Sequence, residues 1–248
     1  MKKQFLALAL IGNLFFVACD KVTPTTPTTP TTPSTTAPQP TFSGGDGALI
    51  AVKSITKTTV AGFPIETEIG TGVAVFGNLS AQTYTDAGTI TLNSKSLSKQ
   101  TNNSYTFIPS TTDPTGIDFS SGINWNVGGS SSVTAFNYNA NSIGFPTGDE
   151  IVGSNTISSN SSFTVSTATT ISNSDSVYFQ MAGTGGVVLK RMAGNTSSVT
   201  FSASELQSVG KGSASIVVAP FRYTQQTING KAIWVINETA FSKIVTIE

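Results

Sequence analysis

The chain has no histidine and a single cysteine, Cys19, so the commonest general base and a free thiol nucleophile are both missing from its 248 residues. A lysine-activated serine needs Ser-x-x-Lys on a helix, and three segments carry that spacing: Ser54 with Lys57, Ser96 with Lys99, and Ser208 with Lys211. None lies in a helical pattern, and a serine-rich chain produces such spacings by chance. Paired carboxylates for glycoside cleavage reduce to loop acids, Asp149 with Glu150 and Asp113 with Asp118, which at turns are ordinarily turn formers or solvated charges. Asp113 to Asp118 offers two acids where a calcium loop needs several oxygen ligands around a glycine. Without histidine or a free thiol, zinc and copper sites are not expected either. These residues predict a protein that is not an enzyme and uses no metal or cofactor, with a carboxylate-dependent glycoside hydrolase as the remote alternative.

Cys19 has a setting of its own. Met1-Lys2-Lys3 is a positive start, and Phe5 to Val17 is apolar apart from Gly12 and Asn13, too short to span a hydrocarbon layer of about 30 Å. Phe16-Val17-Ala18-Cys19 resembles the lipobox of bacterial lipoproteins, with Phe where Leu is usual. The resemblance implies cleavage after residue 18 and acylation of Cys19, leaving it as the first residue of the mature chain. Each buried methylene contributes roughly 0.8 kcal/mol, so two or three acyl chains would hold the protein on a lipid bilayer. The alternative is an ordinary signal peptide followed by a buried cysteine. Asp20, directly after Cys19, signals inner-membrane retention under one sorting rule and accompanies outer-membrane or surface export under another; the expected location is the cell envelope, at the outer membrane or cell surface.

Residues 22–40 read VTPTTPTTPTTPSTTAPQP, with no side chain large enough to nucleate a core. Proline fixes φ and threonine favours extended backbone, so this segment predicts a polyproline-II spacer of about 3.1 Å per residue. The whole chain carries 13 basic and 13 acidic side chains. Loss of Lys2 and Lys3 with the leader makes the mature protein slightly acidic, which gives no attraction for nucleic acid or anionic lipid.

Beyond Thr41 the composition is rich in Ser, Thr, Gly, Asn and Val with few helix formers, and only 10% of the chain is charged. That is the composition of β-sheet with solvated loops. Alternation predicts strands near 49–55, 72–76, 89–92, 105–108, 123–127 and 133–138, separated by turn pairs such as Gly77-Asn78, Asn102-Asn103 and Gly128-Gly129. Ile123-Asn124-Trp125-Asn126-Val127 alternates without a break, which places Trp125 in a core. Phe145 to Asp149 is the candidate joint between an N-terminal β domain, residues 42–144, and a C-terminal one, residues 145–248.

In the second half, strands are expected at 162–166, 176–182, 187–192 and 198–201, with Gly183 to Gly186 closing a hairpin; no helix pattern follows these glycines to make them a phosphate cradle. Ser202 to Leu206 reads as a Ser-capped helical turn with Leu206 inward, leading to a long strand, 213–225. Asn229-Gly230 is a type I′ signal before strands at 231–236 and 244–247. A strand, one turn, a glycine and a long return strand resemble the E-to-F crossing of immunoglobulin-like and fibronectin-like sandwiches, without a tyrosine corner or paired cysteines. The layout as a whole resembles the surface lipoproteins of Bacteroidota. The fold class so implied is all-β, two antiparallel Ig-like β-sandwich domains after a leader and a disordered linker. Asp175-Ser176-Val177 also resembles the three-residue O-glycosylation motif of those bacteria.

Alternation in 177–181 sends Val177, Phe179 and Met181 inward and Tyr178 outward. With Ile216 and Val218 inward, the other face of the long strand carries Val217, Phe221 and Tyr223, and Trp234 lies on its neighbour. Tyr178, Phe221, Tyr223 and Trp234 are thus the candidate partner-binding face, for a glycan or an envelope protein. A competing arrangement packs these residues against the first domain or lets Pro220 bulge the strand and reverse its phase. The expected role is adhesion or partner binding on an envelope tether, the alternative a purely structural envelope component without a dedicated ligand.

Overall fold

The computed structural model describes residues 44–60 and 63–248. Cys19, the leader and the Thr/Pro segment lie outside the described residues. In chain order the strands are β1 (Gly47–Val60), β2 (Phe63–Asn78), β3 (Thr83–Tyr84), β4 (Ile90–Leu92), β5 (Lys95–Ser96), β6 (Ser98–Lys99), β7 (Tyr105–Phe107), β8 (Asn124–Val127), β9 (Phe136–Asn139), β10 (Ile151–Val152), β11 (Thr156–Ile157), β12 (Phe163–Thr167), β13 (Ser176–Ala182), β14 (Val187–Ala193), β15 (Ser198–Phe201), β16 (Gly212–Ile228) and β17 (Lys231–Ile247). One short helix, α1 (Ala203–Val209), joins β15 to β16.

Four long strands build the frame. β1 and β2 form one hairpin and β16 and β17 another, closed at Asn229-Gly230 with φ of 50° and 75°, as a type I′ turn requires. The hairpins meet through β1 and β17, which run parallel from Gly47 opposite Ile233 to Ile55 opposite Phe241. The resulting sheet runs β14-β13-β16-β17-β1-β2-β7-β6, with β3 and β11 attached at its margins. A sheet of β5-β4-β8-β9 and another of β10-β12-β15 complete the sheets of the described residues.

The large sheet takes strands from both sides of the expected joint at residue 145. The fold is mostly β with several antiparallel sheets, and the parallel contact between β1 and β17 is absent from the two-sandwich expectation. Its physical basis is legible in β17. Ile233 and Val235 join a core with Leu49, Phe76, Leu92 and Trp125 of the first half, whereas Phe241, Val245 and Ile247 join one with Val165, Phe179, Phe201 and Leu206 of the second. Between them, on the same face, sit Asn237 and Thr239, both buried. They donate to the carbonyls of Gly144 (2.9 Å) and Pro146 (2.7 Å), so the expected joint is pinned across the strand between the two cores. The strand expected to break after Ile236 is therefore continuous.

Several local expectations hold. Trp125 is 2% exposed and Leu206 fully buried. Ser202 caps α1 with its hydroxyl on Glu205 N, and the Glu205 carboxylate returns to Ser202 N at 2.8 Å, a reciprocal capping box. Gly183 N donates to Gly186 O at 3.0 Å, closing the β13–β14 hairpin. Ser176 is paired on both sides within the sheet and is 2% exposed, so its hydroxyl is not open to a glycosyl donor in the folded protein.

Candidate partner-binding face

Alternation fixes which side chains share a face, provided no strand slips. Pro220 is the place where a slip was possible, since it lacks an N–H and stands in a central strand. The register survives it: Val218 faces Phe241 before the proline and Phe221 faces Glu238 after it, with equal residue steps on both strands. The bulge and phase reversal weighed from the sequence do not occur. Val217, Phe221 and Tyr223 stay on one side of β16, and Trp234 and Ile236 lie beside them on β17.

The four predicted residues form one chain of rings. Tyr178 stacks on Phe221 with centroids 4.8 Å apart and 21° between planes. Phe221 approaches Tyr223 at 6.0 Å, and Tyr223 meets the Trp234 ring edge-on at 5.9 Å. These rings belong to a third apolar cluster with Ile50, Val52, Val217 and Ile236. All its members lie on the large sheet or in the β2–β3 connection, and neither smaller sheet contributes to it. The competing expectation, that the rings pack onto the first domain, is met in part: Ile50 and Val52 of β1 and Val75 of β2 share their cluster.

The expected solvent exposure is not found at two of the four positions. Tyr178 is 5% exposed and Phe221 is fully buried, whereas Tyr223 and Trp234 are half-buried. Each of the first two has an aromatic neighbour on the sheet surface, and the Arg191 guanidinium also lies 4.7 Å over the Tyr178 ring and donates to its hydroxyl at 2.7 Å. Burial raises the phenol of Tyr178 above its ordinary pKa, opposed by Arg191, and raises that of Tyr223 as well.

Two residues of this face escaped the sequence reading. Arg191 follows from the glycine hairpin: once Ala182 faces Val187, Tyr178 must face Arg191. Glu238 follows from continuing the alternation past Trp234 and Ile236. It stands opposite Val52 on β1 and Phe221 on β16, is 1% exposed, and its Oε2 has no hydrogen-bond partner. Desolvation pushes its pKa up to about 8, so the carboxyl is neutral at pH 7 and compatible with the apolar face around it.

Three of the four loop acids considered for hydrolysis, Asp113, Asp118 and Asp149, have structural partners. Asp113 pairs with Lys95 at 2.6 Å, and Asp149 pairs with Lys57, which holds the Asp149 carboxyl below its usual range. Asp118 accepts from Ser120 N at 2.8 Å, and that bond likewise lowers its pKa. Of the three Ser-x-x-Lys spacings, two lie on or beside strands, and the third leaves α1 before reaching Lys211. No described helix is long and apolar enough to cross a membrane, and the described residues hold no group of three or more acidic, histidine or cysteine side chains placed for a metal.

No protein-family model matches this chain, and no curated protein matches its sequence.

Proposed function

We propose that the chain is a cell-envelope lipoprotein, anchored to a bilayer through acylated Cys19 and carrying its β-rich body on the Thr/Pro spacer for adhesion or for binding a glycan or protein partner. The anchor rests on the sequence at Phe16 to Cys19. The observation that carries the binding role is the unbroken contact of Tyr178, Phe221, Tyr223 and Trp234 along one sheet face to which neither smaller sheet contributes. Rings supply large contact area at low entropic cost, and the half-buried pair Tyr223 and Trp234 forms the part a partner meets first.

A purely structural envelope role is the second reading, favoured by the depth at which Tyr178 and Phe221 are buried. The pairing of Asp113 and Asp149 with lysines speaks against the hydrolase.

The test has two arms. Fatty-acid labelling should mark the wild type and not Cys19→Ala, which should leave the membrane fraction. Envelope partners captured by the full chain should fall away with Tyr223→Ala and Trp234→Ala. Capture that is equal in both variants removes the binding face and leaves the structural role.

A further inference from the structure

The outward face of the four-stranded sheet is built against strand propensity. β8 and β9 have eight residues between them, and every outward position is asparagine: Asn124, Asn126, Asn137 and Asn139, all exposed. Asparagine is among the residues depleted in strands, and threonine is the ordinary choice for a solvated strand face. This molecule makes that ordinary choice elsewhere: in the three-stranded sheet Thr164 faces Thr200, their hydroxyls 2.9 Å apart. Positions that break a local rule without a packing gain are where function is expected.

The amides are held in a fixed lattice. Asn126 faces Asn137 and Asn124 faces Asn139 across the strand pair. Asn126 Nδ2 donates to Asn137 Oδ1, and Asn139 Nδ2 donates to Asn124 Oδ1 at 2.7 Å. Asn139 Oδ1 accepts from Asn141 N at 3.0 Å. Among the described residues this leaves Nδ2 of Asn124, Oδ1 of Asn126 and Nδ2 of Asn137 without partners on the protein, two donors and an acceptor on one face of the strand pair. The lattice floors an open groove of about 580 Å³, in which Thr91 adds a hydroxyl and no lining residue carries a formal charge. Asn93 forms its rim in a left-handed turn, φ 46°, and its side chain is engaged with the carbonyls of Asp118 and Gly122 and with Asn124 N, which keeps the wall fixed.

We infer that this groove is a second binding site, distinct from the aromatic face, and that it takes a neutral glycan. A primary amide offers a donor and an acceptor side by side, which suits neighbouring sugar hydroxyls that each donate and accept. Cross-strand neighbours stand about 5 Å apart, the dimension of a pyranose ring. The absence of charge in the lining disfavours anionic polymers, and the row of amides across it suits hydroxyl groups better than an apolar anchor.

The test is affinity electrophoresis of the purified full chain in native gels cast with neutral laminarin, mannan or dextran, or with anionic alginate or polygalacturonate. At least one neutral polymer should retard the protein and the anionic ones should not. The double variant Asn126→Thr with Asn137→Thr should bind that polymer about ten-fold more weakly or worse. It should also melt at or above the wild-type temperature, because threonine is the better strand former. Asn137→Ser serves as the milder second variant, and Thr164→Val on the other small sheet should bind as wild type. Passage through every neutral gel unretarded, or full retardation of both asparagine variants, overturns the site. So does slowed migration without polymer that the double variant cures, which would make the face a contact between copies. None of these outcomes depends on Cys19 or on the aromatic face.

Discussion

Glu238 places a carboxyl between Val52 and Phe221 on neighbouring strands, with no hydrogen-bond partner for its Oε2. Its pKa rises from 4.5 to about 8 because burial penalises the charged form. The native state therefore keeps a proton through a pH range in which the unfolded chain has released it. Stability from this group is complete below about pH 4.5, declines through the window, and is lost above about pH 8. Glu238→Gln has no proton to lose. It should match the wild type in acid and exceed it at pH 8.5 by an amount on the order of 4 kcal/mol. Urea midpoints at pH 4.5, 6.5 and 8.5 read this directly, and parallel pH profiles for the two proteins would refute the buried, neutral carboxyl. The same residue shows what a sequence withholds. The aromatic positions declared themselves through alternation, but an isolated acid followed by Thr239 reads as the end of a strand, because nothing local announces its pairing with Val52 of β1 and Phe221 of β16.

At the level of elements, legibility followed the reach of the interactions involved. β13 and β15 begin and end where alternation and turn residues placed them, and Ser202 announced α1 through a capping pattern complete within four residues. Capping by Ser202 satisfies an otherwise unpaired amide and orients Leu206 into the second core, so Ser202→Ala should lower stability by about 1 kcal/mol without altering the sheet. A urea midpoint unchanged from wild type would mean that the helix is held by Leu206 and Val209 alone. The outer arm of β2 was not legible, since Glu66, Thr67 and Glu68 follow Ile65 without a buried face. It is strand because β1 pairs with it as far as Val60 opposite Phe63, beyond the last β1–β17 pair at Ile55. Partnership, not patterning, makes that arm a strand, and the same holds for Asn237 to Thr239 in β17. The amide lattice is the converse case: the alternation around Trp125 already turned Asn124 and Asn126 outward, but their pairing with Asn137 and Asn139 needed the register of β9.

For the whole molecule the decisive contact is between the two ends of the described chain, β1 running parallel beside β17. Local patterning cannot predict a pairing between residues nearly two hundred positions apart, which is why the halves read as separate sandwiches. In the structure they share β17, whose Ile233 and Val235 complete the first core while Phe241, Val245 and Ile247 complete the second. A fragment of residues 42–144 would lose Ile233 and Val235 and would expose the long edge of β1 as unpaired backbone groups. The shared strand therefore predicts a single cooperative unfolding transition, with calorimetric and van't Hoff enthalpies in agreement, and a 42–144 fragment without dispersed amide resonances. Trp125 reports on the first core and not on the second, because it packs in the first. In a Trp234→Phe background its fluorescence should lose native character at the same urea concentration at which the circular dichroism of all strands does. Two separated transitions, or a folded 42–144 fragment, would return the molecule to a pair of independent units and make the β1–β17 seam a docking contact between them.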